Sequence, residues 1–198
     1  MNTIILASGS PRRAELLAQI GVQFKVMRPD IDESVAKDET AIPYVERMSR
    51  SKYQSIRAVE GKNRVSDEDI VLCADTIVIL DDRILGKPKN QQDGILMLEN
   101  LSDKAHRVVT SVTIGQFFQL NSFFVETIVK FRILKKGESA AYWLTEEPQD
   151  KAGGYAIQGV GSIFVESISG SYSNVVGLPL METSLALEKF GLSSLRTP

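Results

Sequence analysis

The order of segments in this chain predicts an α/β fold: a mixed, bent β-sheet with flanking helices, arranged as two lobes. Short apolar runs typical of buried strands alternate with stretches in which apolar residues recur at helical spacing. Two later and longer runs have the pattern of a β-hairpin. The 198 residues suffice for one sizeable core, and no repeat or linker divides them, so we expect 1–198 to form a single domain.

The first half of the chain predicts strands and helices in alternation. A helix from Pro11 to about Ile20 follows a Ser-Gly-Ser-Pro turn. Ser10 stands in the N-cap position, Pro11 suits the first helical position, and Gly21 is a typical C-terminal stop. The other elements predicted here are strands at Thr3–Ala7, Phe24–Arg28 and Ile70–Leu80, a helix from Pro43 to about Val59, and a surface loop at Glu60–Asp69.

The second half begins with a turn at Asp81-Asp82 that leads into a short strand at Arg83–Leu85. The hairpin is predicted from Val108–Gln119 and Phe123–Leu134, joined at Leu120-Asn121-Ser122. The remaining elements are helices at Gln91–Leu101, Glu138–Thr145 and Pro179–Phe190, a glycine-rich loop at Asp150–Gly161, and a strand at Ile163–Ile168.

Composition and charge favour a cytoplasmic globular protein without a nucleic-acid or membrane partner. Hydrophobic residues make up 43% and charged residues 24%, which excludes a disordered chain. The net charge of −2 provides no bulk basic field for a nucleic-acid backbone. Cys73 is the single cysteine, which indicates a reducing compartment. The first arginines follow the first apolar run, unlike in a secretory signal, and no window approaches the roughly 18 apolar residues of a membrane span.

Arg12 and Arg13 occupy the first turn of the predicted first helix, where the helix dipole disfavours cations by roughly 0.3–1 kcal/mol each. The free amides of that turn and two guanidinium groups together form a site for an anion, and a phosphate is the natural ligand. The alternative is that both arginines extend into solvent or pair with an acid such as Glu15.

Lys52 falls within the apolar stripe of the second predicted helix, which contains Val45, Met48, Ile56 and Val59. A lysine on that face must either extend its ammonium group to water or meet an anion. Because a cation on an apolar stripe costs energy unless an anion is present, replacing Lys52 with alanine should leave the free energy of unfolding nearly unchanged or raise it, and should weaken triphosphate binding.

Asp75 and Thr76 interrupt the most apolar strand of the chain. A carboxylate in such a strand is costly unless it has a partner or a metal ion. Asp75 is therefore the best candidate for a general base, a metal ligand or both. The alternative is an aspartate at a strand end that bonds backbone amides.

Three weaker candidates lie in loops. Lys87 stands in Gly86-Lys87-Pro88 after a short strand, and Glu33 lies in the acidic segment Asp30–Ser34. Gln158 lies in the glycine-rich loop and offers a donor and an acceptor to the edge of a base. Oxygen ligands together with phosphates suit Mg²⁺ or Mn²⁺. For each of the three, an ordinary solvated loop residue is the alternative.

Some classes of site are excluded. The P-loop and Rossmann glycine patterns are absent. His106 is the only histidine, which excludes zinc clusters and a Ser-His-Asp triad. We interpret His106 as structural and Cys73 as a buried strand thiol.

These motifs together resemble the Maf family. In order along the chain they are Ser8-Gly9-Ser10-Pro11-Arg12-Arg13, Asp32-Glu33, Lys52, Ala74-Asp75-Thr76, Gly86-Lys87-Pro88, His106-Arg107-Val108-Val109-Thr110, Asp150-Lys151-Ala152-Gly153, Gln158-Gly159 and Val176-Gly177-Leu178-Pro179. The matches span nearly the whole chain and occur in family order.

The resemblance implies an enzyme that hydrolyses nucleoside triphosphates to monophosphate and pyrophosphate, with a divalent metal and a nucleotide cleft between two lobes. The family's proton acceptor falls on Asp75 and its metal-linked acid on Glu33. Its phosphate-binding cations fall on Arg13, Lys52 and Lys87. We group Ser8 and Arg12 with them as candidate substrate-binding residues. The resemblance leaves the oligomeric state open, with a homodimer as one option.

Three positions resemble the Maf subgroup that acts on dTTP and UTP: Arg12, Thr76 and the sequence Ile157-Gln158-Gly159. The subgroup that acts on 7-methyl-GTP usually has tryptophan, glutamine and a serine-containing sequence there. The chain departs from the common family pattern at Cys73, often glycine, and at Ser111, often glycine or alanine. We expect these departures to affect rate rather than identity.

Two other functions remain open. One is a nucleotide-binding regulator of septum formation with little turnover, because the family name is tied to septum inhibition. The other is a pyrophosphatase for another non-canonical nucleotide, such as an inosine-type triphosphate. Asp75, Lys52 and Lys87 favour the enzyme over the regulator, because a pure binder gains nothing from a carboxylate beside a polyanion.

Overall fold

A mixed β-sheet organises the chain in the computed structural model, which describes residues 4–116 and 118–193 without the side chain of Asn63. Its strands are β1 (Ile4–Ala7), β2 (Phe24–Met27), β3 (Ile70–Leu80), β4 (Arg83–Leu85), β5 (Ala105–Gln116), β6 (Gln119–Phe131) and β7 (Val165–Ser169). Within the described residues these strands form one sheet of order β2-β1-β3-β5-β6-β7, and β4 pairs with β3. The predicted α/β class with a mixed sheet is confirmed.

The helices of the described residues are α1 (Pro11–Gln19), α2 (Ala41–Arg57), α3 (Gln91–Leu101), α4 (Glu138–Trp143), α5 (Tyr172–Val176) and α6 (Leu180–Glu188). All of these helices except α5, which was not predicted, match segments predicted to be helical. Helix α1 begins at a proline and is followed by Gly21 with a φ of 75°, a left-handed conformation that glycine adopts without strain.

The register of β1 determines what lies at its carboxyl end. β1 is parallel to β2 on one side and to β3 on the other, and Ala7 stands opposite Cys73. Ser8 therefore leaves the sheet at the level where β3 continues into Ala74 and Asp75. All four residues of β1 are buried, as expected for a central parallel strand.

The chain divides into two compact units. The first consists of the described residues of Met1–Asp75, Thr110–Val125 and Gly177–Pro198, and the second of the described residues of Thr76–Val109 and Glu126–Val176. Strands β3, β5 and β6 each contribute residues to both units. A division into two lobes was predicted, and two compact units are observed.

Each unit has its own packed interior. In the first unit Ile5, Ala7, Val71 and Cys73 from the sheet pack with Ile56 of α2 and with Val65. In the second unit edge-to-face aromatic contacts join His106, Phe131 and Tyr155, and join Tyr142 to Phe164. Such aromatic contacts add about 0.5–1.5 kcal/mol beyond the area they bury.

The predicted position of the hairpin turn is wrong. Leu120, Asn121 and Ser122 lie inside β6, and the described turn residue is Phe118. The side chain of Ser122 hydrogen-bonds that of Thr113 on β5 at 3.1 Å, so a residue type common in turns here takes part in a cross-strand pair. Phe117 and Thr3, which belong to predicted strands, lie outside the described residues.

The predicted strand at Ile163–Ile168 begins too early. Val160–Phe164 form a 3₁₀ helix, in which the Ser162 amide donates to the Gly159 carbonyl at 3.1 Å, and β7 begins only at Val165. Local hydrogen bonds thus outweigh the β-propensity of Ile163 and Phe164. The other boundaries differ from the predictions by up to about three residues, as is usual at element ends.

Candidate active site

Asp75 lies where β3 changes from fully buried to partly buried. Ile70 to Ala74 are buried, and the Asp75 side chain is 14% exposed. The residue is therefore a strand carboxylate close to solvent, and it requires a partner because its neighbours are apolar.

That partner is Lys52, on the buried face of α2. Its Nζ lies 2.5 Å from Asp75 Oδ1 and 2.9 Å from Glu33 Oε1, and its side chain is 9% exposed. Helix α2 presents Lys52 one turn after Met48, which confirms the prediction that it lies in the apolar stripe. The anion it meets is supplied by the protein itself.

This contact corrects the expectation for replacement of Lys52 with alanine. That expectation assumed that the anion arrives with the substrate. Since Asp75 and Glu33 both contact the ammonium group, removing it leaves Asp75 largely buried without its closest cation. Breaking a buried ion pair in this way is strongly destabilising.

Arg13, in the first turn of α1, lies close enough to Asp75 and Glu33 for their charges to act on it. Its Nε donates to the Gly177 carbonyl at 2.8 Å, and its Nη1 donates to Ser8 Oγ at 3.4 Å. Burial lowers the pKa of the Arg13 guanidinium, while the charges of Asp75 and Glu33 act to raise it. Arg12, also half-buried, acts in the same direction as burial through like-charge repulsion.

Ser8 shapes the turn between β1 and α1. It is 3% exposed, and its hydroxyl oxygen accepts from the Ser10 amide at 3.1 Å as well as from Arg13. The side chain of Ser10, predicted as N-cap, makes no capping hydrogen bond. The Ser-Gly-Ser-Pro turn therefore uses Ser8 to hold both its backbone and the second arginine.

Sequence reasoning missed the residues that hold the acidic loop. Tyr44 Oη donates to the Glu33 carbonyl at 2.8 Å, and Arg47 Nη2 donates to the Ser34 carbonyl at 2.9 Å. Burial, followed by the charges of Asp75 and Glu33, raises the pKa of Tyr44 to about 12. The signal was present, because Tyr44 stands four residues before Met48 and eight before Lys52 on one helical face.

Three predicted residues belong to the second unit. Thr76 is half-buried on β3, Lys87 is exposed after β4, and Gln158 is exposed in the glycine-rich segment. The Gly153 amide donates to the Gly86 carbonyl at 3.0 Å, so the segment that carries Lys87 touches the segment that leads to Gln158. Sequence motifs more than sixty positions apart are thereby joined within this unit.

The donor set fits a divalent ion that arrives with phosphates. Among the described residues no group of three or more His, Cys, Asp or Glu side chains is positioned to hold a metal. Asp75 and Glu33 nevertheless both direct a carboxylate oxygen to one point, now taken by Lys52 Nζ. Mg²⁺ is commonly bound by one or two carboxylates together with substrate phosphates, and these two residues match that pattern.

His106 and Cys73 have the surroundings expected of structural residues. His106 Nε2 lies 2.8 Å from Tyr155 Oη, and burial lowers the histidine pKa to about 4. Cys73 is buried, and burial raises its pKa. In the described part of the chain no helix is both long and apolar enough to span a membrane.

The chain is an α/β protein with a mixed sheet, and it belongs to the Maf family. The family model described as "Maf-like protein" matches residues 3–190.

Individual relatives cover almost the whole chain. A protein of Vibrio vulnificus (strain YJ016) named "dTTP/UTP pyrophosphatase" is 48% identical over 190 residues, which are 96% of this chain and 100% of that protein. Proteins with the same name from Pseudoalteromonas atlantica and Colwellia psychrerythraea are 46% and 48% identical, over 96% and 95% of this chain and 98% and 88% of their own lengths.

Proposed function

We propose that this chain is a nucleoside triphosphate pyrophosphatase that hydrolyses dTTP and UTP to the monophosphate and pyrophosphate. The observation that carries the proposal is the contact of Lys52 with both Asp75 and Glu33 beside Arg13. The names of relatives about 46–48% identical over nearly the full chain support the same activity.

Phosphate binding exchanges the partners of Lys52. The incoming triphosphate group carries more negative charge in total than the Asp75 carboxylate, so Lys52 turns from Asp75 to phosphate. Arg13 is already oriented by the Gly177 carbonyl and Ser8, so it loses little conformational freedom on binding. We assign phosphate binding to Ser8, Arg12, Arg13 and Lys52, and to Lys87 from its place in the family motif.

Asp75 is then available for proton transfer. A water molecule must attack the α-phosphorus with pyrophosphate as the leaving group, and a carboxylate released from an ammonium group can orient that water and accept its proton. Arg13 and Lys52 lower the negative charge that would otherwise repel the attacking oxygen. Asp75 is thus the proposed general base.

Asp75 and Glu33 are also the proposed ligands of Mg²⁺ or Mn²⁺. When bound, such an ion neutralises phosphate charge and favours departure of pyrophosphate. Glu33 is suited to this because its side chain is 50% exposed, while Tyr44 holds its backbone in place.

Base selection is assigned to Gln158, Arg12 and Thr76. A uracil or thymine edge presents O4 acceptors and an N3–H donor, which a side-chain amide such as that of Gln158 can match. Cytosine presents the reversed pattern, so backbone groups of the glycine-rich segment that read the base together with Gln158 would be left unpaired, which is how hydrogen-bonding sites reject a wrong ligand.

A panel of dTTP, UTP, CTP, ATP, GTP and 7-methyl-GTP, with kcat/KM and product identification, tests the proposal. We expect dTTP and UTP to exceed the others and pyrophosphate to be released. Release of inorganic phosphate would contradict the reaction type. A higher value for CTP or 7-methyl-GTP would contradict the base preference alone.

The same panel separates the alternatives. A septum-inhibiting regulator would bind nucleotides without turnover, and an inosine-type pyrophosphatase would prefer ITP when that nucleotide is added. The proposal further includes a cytoplasmic location, no nucleic-acid or membrane partner, and a single Maf-like domain over 1–198. A homodimer is an open option that a measurement of molecular size would decide.

A further inference from the structure

Glu147 accepts backbone hydrogen bonds from the glycine-rich segment that carries Gln158. Its Oε1 accepts hydrogen bonds from Tyr142 Oη at 2.5 Å and from the Gly161 amide at 3.0 Å. Its Oε2 accepts from the Val160 amide at 3.0 Å. One carboxylate therefore holds two consecutive backbone amides and a phenol.

Tyr142 holds the other end of the same segment. Its hydroxyl oxygen accepts from the Ala156 amide at 3.0 Å, and the residue is 3% exposed. Tyr142 and Glu147 together bind the backbone of the segment at positions 156, 160 and 161. Gln158 is exposed between these attachment points.

Two glycines are required by this arrangement. A Cβ atom added at Gly159 would lie 2.0 Å from Glu147 Oε2, and one added at Gly161 would lie 2.6 Å from Tyr142 Oη. Both distances are too short for any side chain, so the backbone approaches these two polar groups as only glycine allows. The glycine pattern around Gln158 is thus explained by contacts within the protein.

The Glu147 carboxylate is suited to accepting several hydrogen bonds at once. Burial would raise the pKa of Glu147, but hydrogen bonds from Tyr142, Gly161 and Val160 outweigh burial and hold its pKa below the ordinary value. An ionised carboxylate only accepts hydrogen bonds, so it pairs with several donors without conflict.

We propose that Glu147, with Tyr142, is a positioning residue for base selection: it sets the geometry of residues 156–161 and so the direction in which Gln158 meets the base. This inference rests on the proposed function, since it requires that Gln158 contacts the base. Glu147 itself does not touch the substrate and acts through the segment.

The test is Glu147→Gln, with Glu146→Gln as the matched control because Glu146 is the neighbouring exposed glutamate. The amide group of glutamine brings a donor against a backbone N–H, which costs about one buried hydrogen bond. We expect the ratio of kcat/KM for UTP to that for CTP to fall about tenfold in Glu147→Gln and to stay unchanged in Glu146→Gln. Hydrogen exchange at the Val160 and Gly161 amides should accelerate in Glu147→Gln alone.

The double variant Glu147→Gln/Gln158→Ala supplies the decisive comparison. If Glu147 acts through Gln158, the double variant discriminates no worse than Gln158→Ala alone. An equal loss of kcat/KM for UTP and CTP in Glu147→Gln would make the residue merely structural and overturn the inference. If Glu147→Gln fails to fold, the same ratio in Tyr142→Phe decides, with an unchanged ratio counting against the inference.

Other outcomes would refute the proposed function rather than the role of Glu147. Absence of turnover of any triphosphate by the unmodified protein would refute the enzyme itself. Unchanged discrimination in Gln158→Ala would refute the role of that residue, and with it this inference, while leaving the pyrophosphatase activity in place.

Discussion

Each unit of the molecule holds a carboxylate that is bonded by several groups of the protein, and the two carboxylates have opposite kinds of partner. Asp75 in the first unit is bonded by a lysine ammonium group, beside Glu33 and Arg13. Glu147 in the second unit is bonded by a phenol and two backbone amides. The first set of partners is charged, whereas the second is neutral.

The kind of partner determines which of the two carboxylates can exchange it for a substrate. An ammonium group can exchange a carboxylate for a phosphate when a polyanion binds, because both partners are side chains that can move. Backbone amides cannot leave Glu147 unless the segment at 156–161 changes conformation. The charged pair of Asp75 and Lys52 therefore suits catalysis, whereas the neutral partners of Glu147 suit the positioning of a backbone segment.

Replacing the carboxylate that has the charged partner should have the greatest effect on turnover. Asp75→Asn preserves shape but removes the base, so kcat with dTTP should fall at least 10²–10⁴-fold, roughly the range for loss of a general base. The exposed Asp67→Asn serves as control. Retention of more than about a tenth of the original kcat would show that Asp75 is not the base.

Removing the cation tests whether the charged pair also stabilises the fold. Lys52→Met should lower the free energy of unfolding by about 3 kcal/mol, because Asp75 loses its partner at 14% exposure. Urea unfolding of Lys52→Met, Asp75→Asn and the double variant gives the coupling energy, with the exposed Lys37→Met as control. Additive losses would mean that the pair does not stabilise the free protein.

Acidification tests the stability of the second unit, which contains both Glu147 and the buried His106. His106 in the second unit has a folded-state pKa of about 4, below its ordinary value of 6.5, because of burial. Below pH 6.5 the unfolded chain therefore binds a proton that the folded chain does not, and stability falls as the pH falls toward 4. Between pH 7 and pH 5 this histidine should account for a loss of about 2 kcal/mol.

The control for that loss is His106→Gln, which cannot titrate in this range. Urea unfolding at both pH values should show a loss smaller by about 2 kcal/mol in the variant than in the original protein. Equal losses in the two proteins would assign the acid sensitivity to other groups.

A smaller effect is expected from loosening the loop that carries Glu33. Tyr44→Phe removes the hydrogen bond to the Glu33 carbonyl and should cost about 1 kcal/mol in the free energy of unfolding. Because the loop that carries Glu33 is then less restrained, KM for dTTP should rise while kcat changes little. A fall in kcat with unchanged KM would instead place Tyr44 in the chemical step.

Much of the candidate site was predictable because its residues carry charge at positions where the local structure disfavours it. An aspartate in an apolar strand, a lysine in an apolar helical stripe and two arginines at a helix start are each unfavourable without a partner. Asp75, Lys52 and Arg13 were predicted this way as candidate site residues, and the structure places Lys52 against Asp75. The Maf family predicted from the ordered motifs is confirmed. Tyr44 and Glu147 were missed because a tyrosine in a helical stripe and a glutamate near a loop violate no rule.

Periodicity and local energetic cost act between near neighbours in the chain. They were therefore enough to predict most of the strands and helices in order, the buried faces of β3 and α2, and the residues that need partners. The identity of those partners is visible only in the folded chain. Lys52 meets Asp75 twenty-three positions away, and Arg13 meets the Gly177 carbonyl 164 positions away. Such pairs depend on strand order and register, which arise from packing the whole chain and leave no local periodic signal.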